Sequence, residues 1–384
     1  MIQAKRTLYT GFAATALALA VSGQAMASDV TVYGRAHVSV DYLDDGGKYS
    51  ETNLSSNASR LGFKGSHEIN PKLKAFFQIE QQINFTTGGS SGGADFATRD
   101  TFVGLSGDFG AVQMGRFDSP FKVARGPANL FGDQVGDMVN LTRVGNGRFD
   151  ERYDNTIQYT TPTYSGFNMK LAYSVYQGQA AVEDTESDVA SFSINYNNGP
   201  LSAAVAYEKV EDDNKVEGGK DFANRGKRHA VRAAASYNIT DDFKLVGFYQ
   251  TAKYDGKVEG SNGVKNDAAT KQLRDANTYD VYGLGGEYKV AKNTAVKAMW
   301  MTRDSDAKKA GADMWFIGVE HKLDKAVRIY ANYALVNNDK NQNLNPWSAS
   351  RTANPAGKKK DSNGQLYSIG EKASGFTVGL RYDF

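Results

Sequence analysis

The feature that most constrains the fold of this chain is a period-two alternation of apolar and polar residues, which begins at Val30. Such alternation is typical of β-strands whose two faces meet different surroundings. In the first stretch one face carries Val30, Val32, Gly34, Ala36, Val38, Val40 and Tyr42, and the other face carries Thr31, Tyr33, Arg35, His37, Ser39 and Asp41. The alternation recurs near residues 73–80, 167–175, 201–208 and 327–335. It predicts amphipathic strands, although a soluble sandwich would show the same pattern.

The connections between the predicted strands alternate between short and long. Tight turns with typical turn residues lie at 69–72, 106–110, 161–166, 197–200, 238–242, 290–293 and 322–325. Long polar loops lie near 43–57, 86–97, 117–153, 177–187, 210–227, 255–277, 304–311 and 337–373. This sorting predicts about sixteen strands with short connections at one end and long ones at the other, as in an outer-membrane barrel. Because hydrocarbon offers no partners to backbone groups, the first strand should pair with the last.

The composition agrees with a chain that crosses a membrane with strands. The sequence holds 40 Gly, 21 Tyr and 20 Phe but only 7 Pro, a balance that favours strands and turns over helices. Beyond the first thirty residues or so it has no apolar run of the ~20 residues that a helical span needs. We therefore expect an all-β fold, a transmembrane 16-stranded antiparallel β-barrel.

The N-terminus resembles an export signal. Lys5 and Arg6 form a basic start, residues 8–21 an apolar run, and Ala25-Met26-Ala27 a small-x-small cleavage site. We expect a signal peptide at residues 1–27 and a barrel at 28–384; an uncleaved membrane anchor is the alternative.

The sequence has no cysteine, so neither disulfides nor thiol chemistry are available. Loss of two of the 45 basic residues with the signal leaves 43, equal to the 43 acidic ones, and this balance does not suggest nucleic-acid binding.

The long stretch at residues 117–153 stands out among the loops. It is roughly three dozen residues long, several times the usual length of a connection between strands. It combines apolar residues such as Leu130, Phe131 and Val135 with glycines and charges of both signs. We expect this stretch to fold into the barrel and to narrow it.

Several motifs together make the chain resemble a trimeric general diffusion porin of the Gram-negative outer membrane. The most specific are Val32-Tyr33-Gly34-Arg35, Ser59-Arg60-Leu61-Gly62-Phe63-Lys64-Gly65, Phe131-Gly132-Asp133 and the terminal Phe384. The resemblance implies passive diffusion of small hydrophilic solutes and ions, without a cofactor. It also implies a homotrimer in contact with outer-membrane lipid and lipopolysaccharide. The barrel assembly machinery would recognise the strand that ends at Phe384.

In that family, acids on the inward-folded third loop face basic residues of the barrel wall. The resemblance therefore implies a pore constriction formed by Arg35, Arg60, Arg99, Arg148, Asp133 and Asp137. Arg143 is a close rival of Arg148, and Asp137 is placed by its loop position alone. Opposed charges at a narrow waist impose a transverse field that disfavours apolar solutes. The family often has Glu where this chain has Leu130, so the sign of ion selectivity stays open.

Other readings of these residues remain. Asp133 and Asp137 could form a solvated loop or a weak calcium site, since carboxylates are calcium ligands. The arginines could be solvated lumen charges, a trimer contact or a loop salt bridge. Inward tyrosines such as Tyr33, Tyr176 and Tyr330 could form a sugar track in a substrate-specific sugar or anion channel.

An enzyme is the less favoured alternative. The histidines are His37, His67, His229 and His321, and none lies in a nucleophile motif such as Gly-x-Ser-x-Gly. An outer-membrane phospholipase could place Ser and His on its outer face, which would involve His229 or His321. We expect a channel without catalytic activity.

Overall fold

The computed structural model describes residues 29–87, 96–143, 149–175, 187–212, 216–217, 227–256, 258–259, 267–347 and 368–384. Its main feature is one closed antiparallel barrel of sixteen strands, as predicted. The strands are β1 (Asp29–Asp44), β2 (in two segments, Ser50–Ser56 and Arg60–Asn70), β3 (Leu73–Gln82), β4 (Thr101–Gly107), β5 (Gly110–Asp118), β6 (Arg152–Thr160), β7 (Phe167–Ser174), β8 (Ser187–Asn198), β9 (Leu201–Asp212), β10 (Arg228–Asn238), β11 (Phe243–Tyr254), β12 (Tyr279–Ala291), β13 (Thr294–Ser305), β14 (Ala312–Lys322), β15 (Val327–Asn338) and β16 (Lys372–Asp383).

The barrel closes between its first and last strands. Along β1 and β16 the register runs from Arg35 opposite Asp383 to Asp44 opposite Ser374. The other edge of β1 pairs with both segments of β2. Closure leaves no row of unpaired backbone groups facing the membrane.

The chain terminus closes the seam at Gly34. The backbone amide of Gly34 donates to the carbonyl of Phe384 (2.8 Å), and the amide of Phe384 donates back (3.1 Å). A Cβ at residue 34 would lie 2.4 Å from Cζ of the Phe384 ring. The first-strand motif that contains Gly34 and the terminal Phe384 are therefore in direct contact. Only glycine at residue 34 leaves space for the aromatic ring.

The first loop is much shorter than predicted. We expected a loop near 43–57, but β1 extends to Asp44 and pairs with the strand segment Ser50–Ser56. That segment is almost entirely polar, so its sequence lacks an apolar period. It forms a strand because the backbone of β1 supplies hydrogen-bond partners, and the side chain of Leu54 points outward.

The two faces of the wall differ as the alternation predicted. Outward residues are large, apolar and exposed, among them Val32, Val205, Leu284, Ile317 and Val378. Many inward residues are polar or charged and buried, among them His37, Glu80, Arg232, Gln250 and Glu320. Lipid can contact the first set, while the second set lies within the barrel.

The helices of the described residues are short. They are α1 (Pro120–Val123), a 3₁₀ turn (Gly126–Ala128), α2 (Val139–Thr142) and α3 (Asp267–Asn277). Ser119 caps α1 by accepting from the amide of Lys122, and Pro120 occupies the first helical position. Within the described part of the chain, no helix has the length and apolar character needed to cross a membrane.

Candidate functional site

Residues 119–151, which we call loop 3, connect β5 to β6, and the described part of this loop (119–143 and 149–151) lies inside the barrel. The amide of Phe121 donates to Oγ of Ser191 on β8 (3.1 Å). From the opposite wall, Arg303 on β13 donates to the carbonyl of Leu141 (2.9 Å), and Asn332 on β15 donates to Oε1 of Gln134 (2.6 Å). Because these partners belong to well-separated strands, the loop spans the lumen, as the sequence predicted.

Apolar side chains hold the middle of loop 3 against the wall. The ring of Phe131 packs edge-on against Phe316 of β14, with 5.6 Å between centroids. Val135 and Leu141 are fully buried. Burial of such a side chain stabilises by roughly 1.5–3 kcal/mol. This contact explains why the inner face of β11 to β15 is partly apolar, with buried Val246, Phe248, Met301, Met314 and Phe316.

A buried ion pair anchors the end of loop 3. Arg232 of β10 donates to both carboxylate oxygens of Asp150 (2.5 and 2.8 Å), and both side chains are 0% exposed. The guanidinium also lies 4.1 Å from the ring centroid of Phe121, and Arg125 lies 3.1 Å from Asp150. Burial raises the pKa of Asp150, but Arg232 and Arg125 outweigh it and hold the pKa well below its usual range.

Three predicted arginines lie together on the wall that faces the tip of loop 3. Arg35 on β1 is directly opposite Arg60 on β2 in the register. Arg99 comes just before β4, which begins at Thr101. The family resemblance matched Arg99 to a basic position on the fourth strand; in the structure Arg99 lies in the preceding connection, with its amide donating to the carbonyl of Glu80 (3.0 Å).

Glu80 on β3 connects these arginines, and sequence reasoning missed it. Arg99 Nε lies 2.5 Å from Glu80 Oε1, and Arg60 Nη1 lies 3.7 Å from the same oxygen. The hydroxyl of Tyr33 donates to Oε2 (3.0 Å). The carboxylate therefore partly neutralises the basic wall. In the sequence Glu80 looks like any polar residue of an alternating strand, and only its pairing partners reveal its role.

Asp133 faces this wall from loop 3. Its Oδ2 lies 3.1 Å from Nη1 of Arg35, with the two side chains 35% and 16% exposed. Arg35 also contacts Asp383 on β16, at 2.8 Å. Burial raises the pKa of Asp133, but the guanidinium groups of Arg60 and Arg35 outweigh it and lower the pKa. Asp133 is therefore ionised at neutral pH.

Asp137 has a different geometry. Its carboxylate accepts from the amides of Asp133 (2.7 Å) and Val139 (3.1 Å), and the residue is buried. Burial raises the pKa of Asp137, while Arg125 opposes that shift. These contacts hold the backbone of the loop tip, so a share of Asp137 in ion selectivity stays a prediction.

The remaining candidates for the pore constriction are Arg148 and its rival Arg143. Arg148 lies outside the described residues. Its rival Arg143 pairs with Glu151 through two donors (3.0 and 2.7 Å) at the end of loop 3. In the described ranges, no three His, Cys, Asp or Glu side chains converge as a metal site would require.

The tyrosines considered for a sugar track have other contacts. The hydroxyl of Tyr33 is bound to Glu80. The hydroxyl of Tyr330 lies 2.7 Å from Nε2 of His37. Tyr176 lies outside the described residues.

Comparison with known proteins agrees with this architecture. The Gram-negative porin family pattern matches residues 13–341. The outer membrane porin protein 32 of Delftia acidovorans is 30% identical over 331 residues, which cover 83% of this chain and 87% of the relative. The major outer membrane protein P.IB of Neisseria gonorrhoeae is 26% identical over 361 residues, covering 80% and 98%.

Solved structures share the fold. The anion-selective porin from Comamonas acidovorans superposes with a TM-score of 0.73 at 24% identity, covering 93% of this chain and all of that chain. The trimer form of OmpT, an outer membrane protein of Vibrio cholerae, gives a TM-score of 0.61 at 18% identity, covering 93% and 99%.

Proposed function

Because this chain belongs to the Gram-negative porin family, we propose that loop 3 and the arginine wall form the selective waist of its channel. The protein is an outer-membrane porin, and its water-filled barrel lets small hydrophilic solutes and ions diffuse passively. The waist comprises Asp133 on one side and Arg35, Arg60 and Arg99 on the other.

The observation that carries this proposal is the contact of Asp133 with Arg35 inside the lumen. An ionised carboxylate on the loop lies 3.1 Å from a guanidinium on the wall, and neither is sealed from water. The field between them orders water across the path of the solute. Small polar solutes can replace hydrogen bonds to water by hydrogen bonds to these groups, whereas apolar solutes cannot.

The charge balance at the waist favours anions. Arg35, Arg60 and Arg99 supply three positive charges, while Asp133 and the Glu80 carboxylate that connects the arginines supply two negative ones. Leu130, where the family often has an acid, adds no charge and is buried. The Comamonas acidovorans structure is described as anion-selective, and we extend a modest preference of that kind to this chain.

Recordings of single channels in planar bilayers test this function. We expect stepwise ohmic insertions, conductance proportional to salt, and a reversal potential of anion-preferring sign across a salt gradient. Silent insertions would overturn the channel. Transport that saturates tightly with one sugar would favour the substrate-specific alternative instead.

The outer surface supports a homotrimer. On β4 and β5 the apolar side chains of Val103, Leu105 and Met114 point outward and are strongly exposed. Beside them Arg116 pairs with Asp154 on the outer surface, where bare lipid contact would be costly for charges. A neighbouring subunit would cover this patch, and trimers that migrate intact before heating would support it. Lipopolysaccharide around the barrel and assembly machinery that recognises Phe384 are further expectations.

Family and relatives point to a channel rather than an enzyme. We extend this to the absence of catalytic activity. Two histidines have contacts that fit structural roles: His37 with Tyr330, and His321 with Thr294 (2.8 Å). Lipid or peptide turnover that is lost on substitution of a histidine would contradict this proposal.

A further inference from the structure

A belt of charged side chains lines the inner wall between the short turns and the arginines that face loop 3. It runs from Lys244 on β11 through Glu287, Lys297, Glu320, Arg328 and Asp383 to Arg35 on β1. Successive partners lie 3.4, 3.7, 3.0, 3.6, 3.5 and 2.8 Å apart. The belt therefore joins the waist at Arg35 to the opposite wall.

A cavity of about 300 Å³ lies between this belt and the residues of loop 3 at Asn129 and Leu130. We call it the vestibule pocket. Its size is at the lower end of the range for small-molecule sites. Six cationic side chains line it (Lys244, Lys289, Lys292, Lys297, Lys322 and Arg328) against two carboxylates (Glu287 and Glu320).

Several donor atoms of these cations make no hydrogen bond or close ion pair with described residues, although the Arg328 guanidinium pairs with Glu320 and Asp383. Nε of Arg328 is buried and makes no hydrogen bond within the described part of the chain. Lys292 and Lys322 are exposed at the short turns, and no described carboxylate lies within ion-pair distance of either ammonium. The pocket therefore offers hydrogen-bond donors and positive charge to a negatively charged ligand.

We infer that the vestibule pocket binds small dianionic oxyanions of the phosphate type, either free phosphate or a phosphate ester, as a second station beyond the waist. This inference rests on the proposed channel function. Lys292 and Lys322 supply flexible point charges, and the planar guanidinium of Arg328 supplies directed donors. Glu287 and Glu320 keep the net attraction moderate, so that a bound anion can leave. In porins the short turns face the periplasm, which places the station on that side.

The test is block of chloride current by inorganic phosphate at about pH 8, where phosphate carries close to two charges. Wild-type channels are recorded in planar bilayers while phosphate is added to one side at a time. We expect a saturable reduction of chloride current that depends on the side of addition and on the sign of the voltage. A sugar phosphate in a second series distinguishes an ester from the free ion as the preferred ligand.

The matched variants carry equal charge changes at the two ends of the barrel. Lys292→Gln with Lys322→Gln should weaken phosphate block about tenfold, because two exposed charges are lost. Lys308→Gln with Lys309→Gln, in the connection between β13 and β14 at the long-loop end, should leave it unchanged. Equal weakening in both pairs, no weakening in the first pair, or a reduction that never saturates would overturn the pocket. Wild-type insertions that carry no chloride current would instead refute the channel function.

Discussion

Loop 3 carries two aspartate–arginine pairs of the same chemistry in opposite surroundings. Asp150 and Arg232 are completely sealed at 0% exposure each, whereas Asp133 and Arg35 retain 35% and 16% exposure in the lumen. The sealed pair joins the loop to the wall, and the open pair keeps its charges accessible in the lumen. Burial, rather than residue type, distinguishes the two pairs, and we propose that only the open pair acts on passing solutes.

The energetics of the two pairs differ accordingly. Burial of two charges costs desolvation free energy, which further hydrogen bonds must offset. Arg232 also donates to the carbonyl of Phe121 (2.8 Å) and to Gln250, and Thr142 donates to Asp150 (3.1 Å). The open pair is screened by lumen water, and such pairs contribute about 0–1 kcal/mol.

The largest effect should follow from breaking the sealed pair. Asp150→Asn leaves the guanidinium of Arg232 buried without its counter-charge, which should lower the free energy of unfolding by about 3–5 kcal/mol. Denaturant unfolding of the purified barrel measures this loss, and noisier single-channel current would report a loosened loop. Asp150→Asn combined with Arg232→Met should recover much of the stability. A single variant as stable as wild type would show that the pair does not anchor the loop.

Removal of Glu80 should have an intermediate effect. Glu80→Gln deprives Arg60 and Arg99 of their shared carboxylate, and loss of a hydrogen bond to a charged group costs about 1.5–3 kcal/mol. The extra positive charge should also raise the preference for anions about two- to fivefold in the permeability ratio. Reversal potentials and unfolding measure the two effects. Glu211→Gln, at the exposed end of β9, is the control, and an equal response there would refute a role specific to Glu80.

Substitution of Asp137 should have a smaller effect than substitution of Glu80. Asp137→Asn weakens the acceptor for the amides of Asp133 and Val139, which should cost about 1 kcal/mol of stability. Selectivity should barely change because these contacts face the loop backbone. If the reversal potential of Asp137→Asn shifts by as much as that of Asp133→Asn, then Asp137 is part of the filter.

The smallest effect concerns pH. Because the guanidinium groups of the wall lower the pKa of Asp133, the carboxylate stays charged down to below its ordinary pKa of about 3.9. Protonation removes a negative charge, so the preference for anions should rise only below about pH 4 and stay constant above about pH 5. A titration of reversal potential checks this. A change between pH 5 and 7 that is absent in Asp133→Asn would contradict the lowered pKa.

Much of the fold could be predicted from the sequence, because lipid outside and water inside impose alternation on every strand. Prediction failed at Ser50–Ser56, where a polar segment forms a strand through backbone pairing with β1. The family resemblance, which rests on short motifs, predicted Arg35, Arg60 and Asp133 as site residues.

Other parts of the site left no local signal. Asp150 and Arg232 are 82 residues apart in the chain, and neither lies in a motif that announces a partner. Glu80 occupies an ordinary polar position of β3. The inward apolar residues of β11 to β15 depart from the polar-lumen rule only because loop 3 packs on them. Such contacts depend on where the loop lies, which no single segment encodes.

The most direct test of the opposed-charge waist is the reversal potential across a potassium chloride gradient, measured for Arg35→Gln and Asp133→Asn. The two substitutions remove opposite charges of a single 3.1 Å contact. The account predicts shifts of opposite sign, towards cations for Arg35→Gln and towards anions for Asp133→Asn. Unchanged potentials, or shifts of the same sign, would contradict a waist formed by loop 3 and the arginine wall.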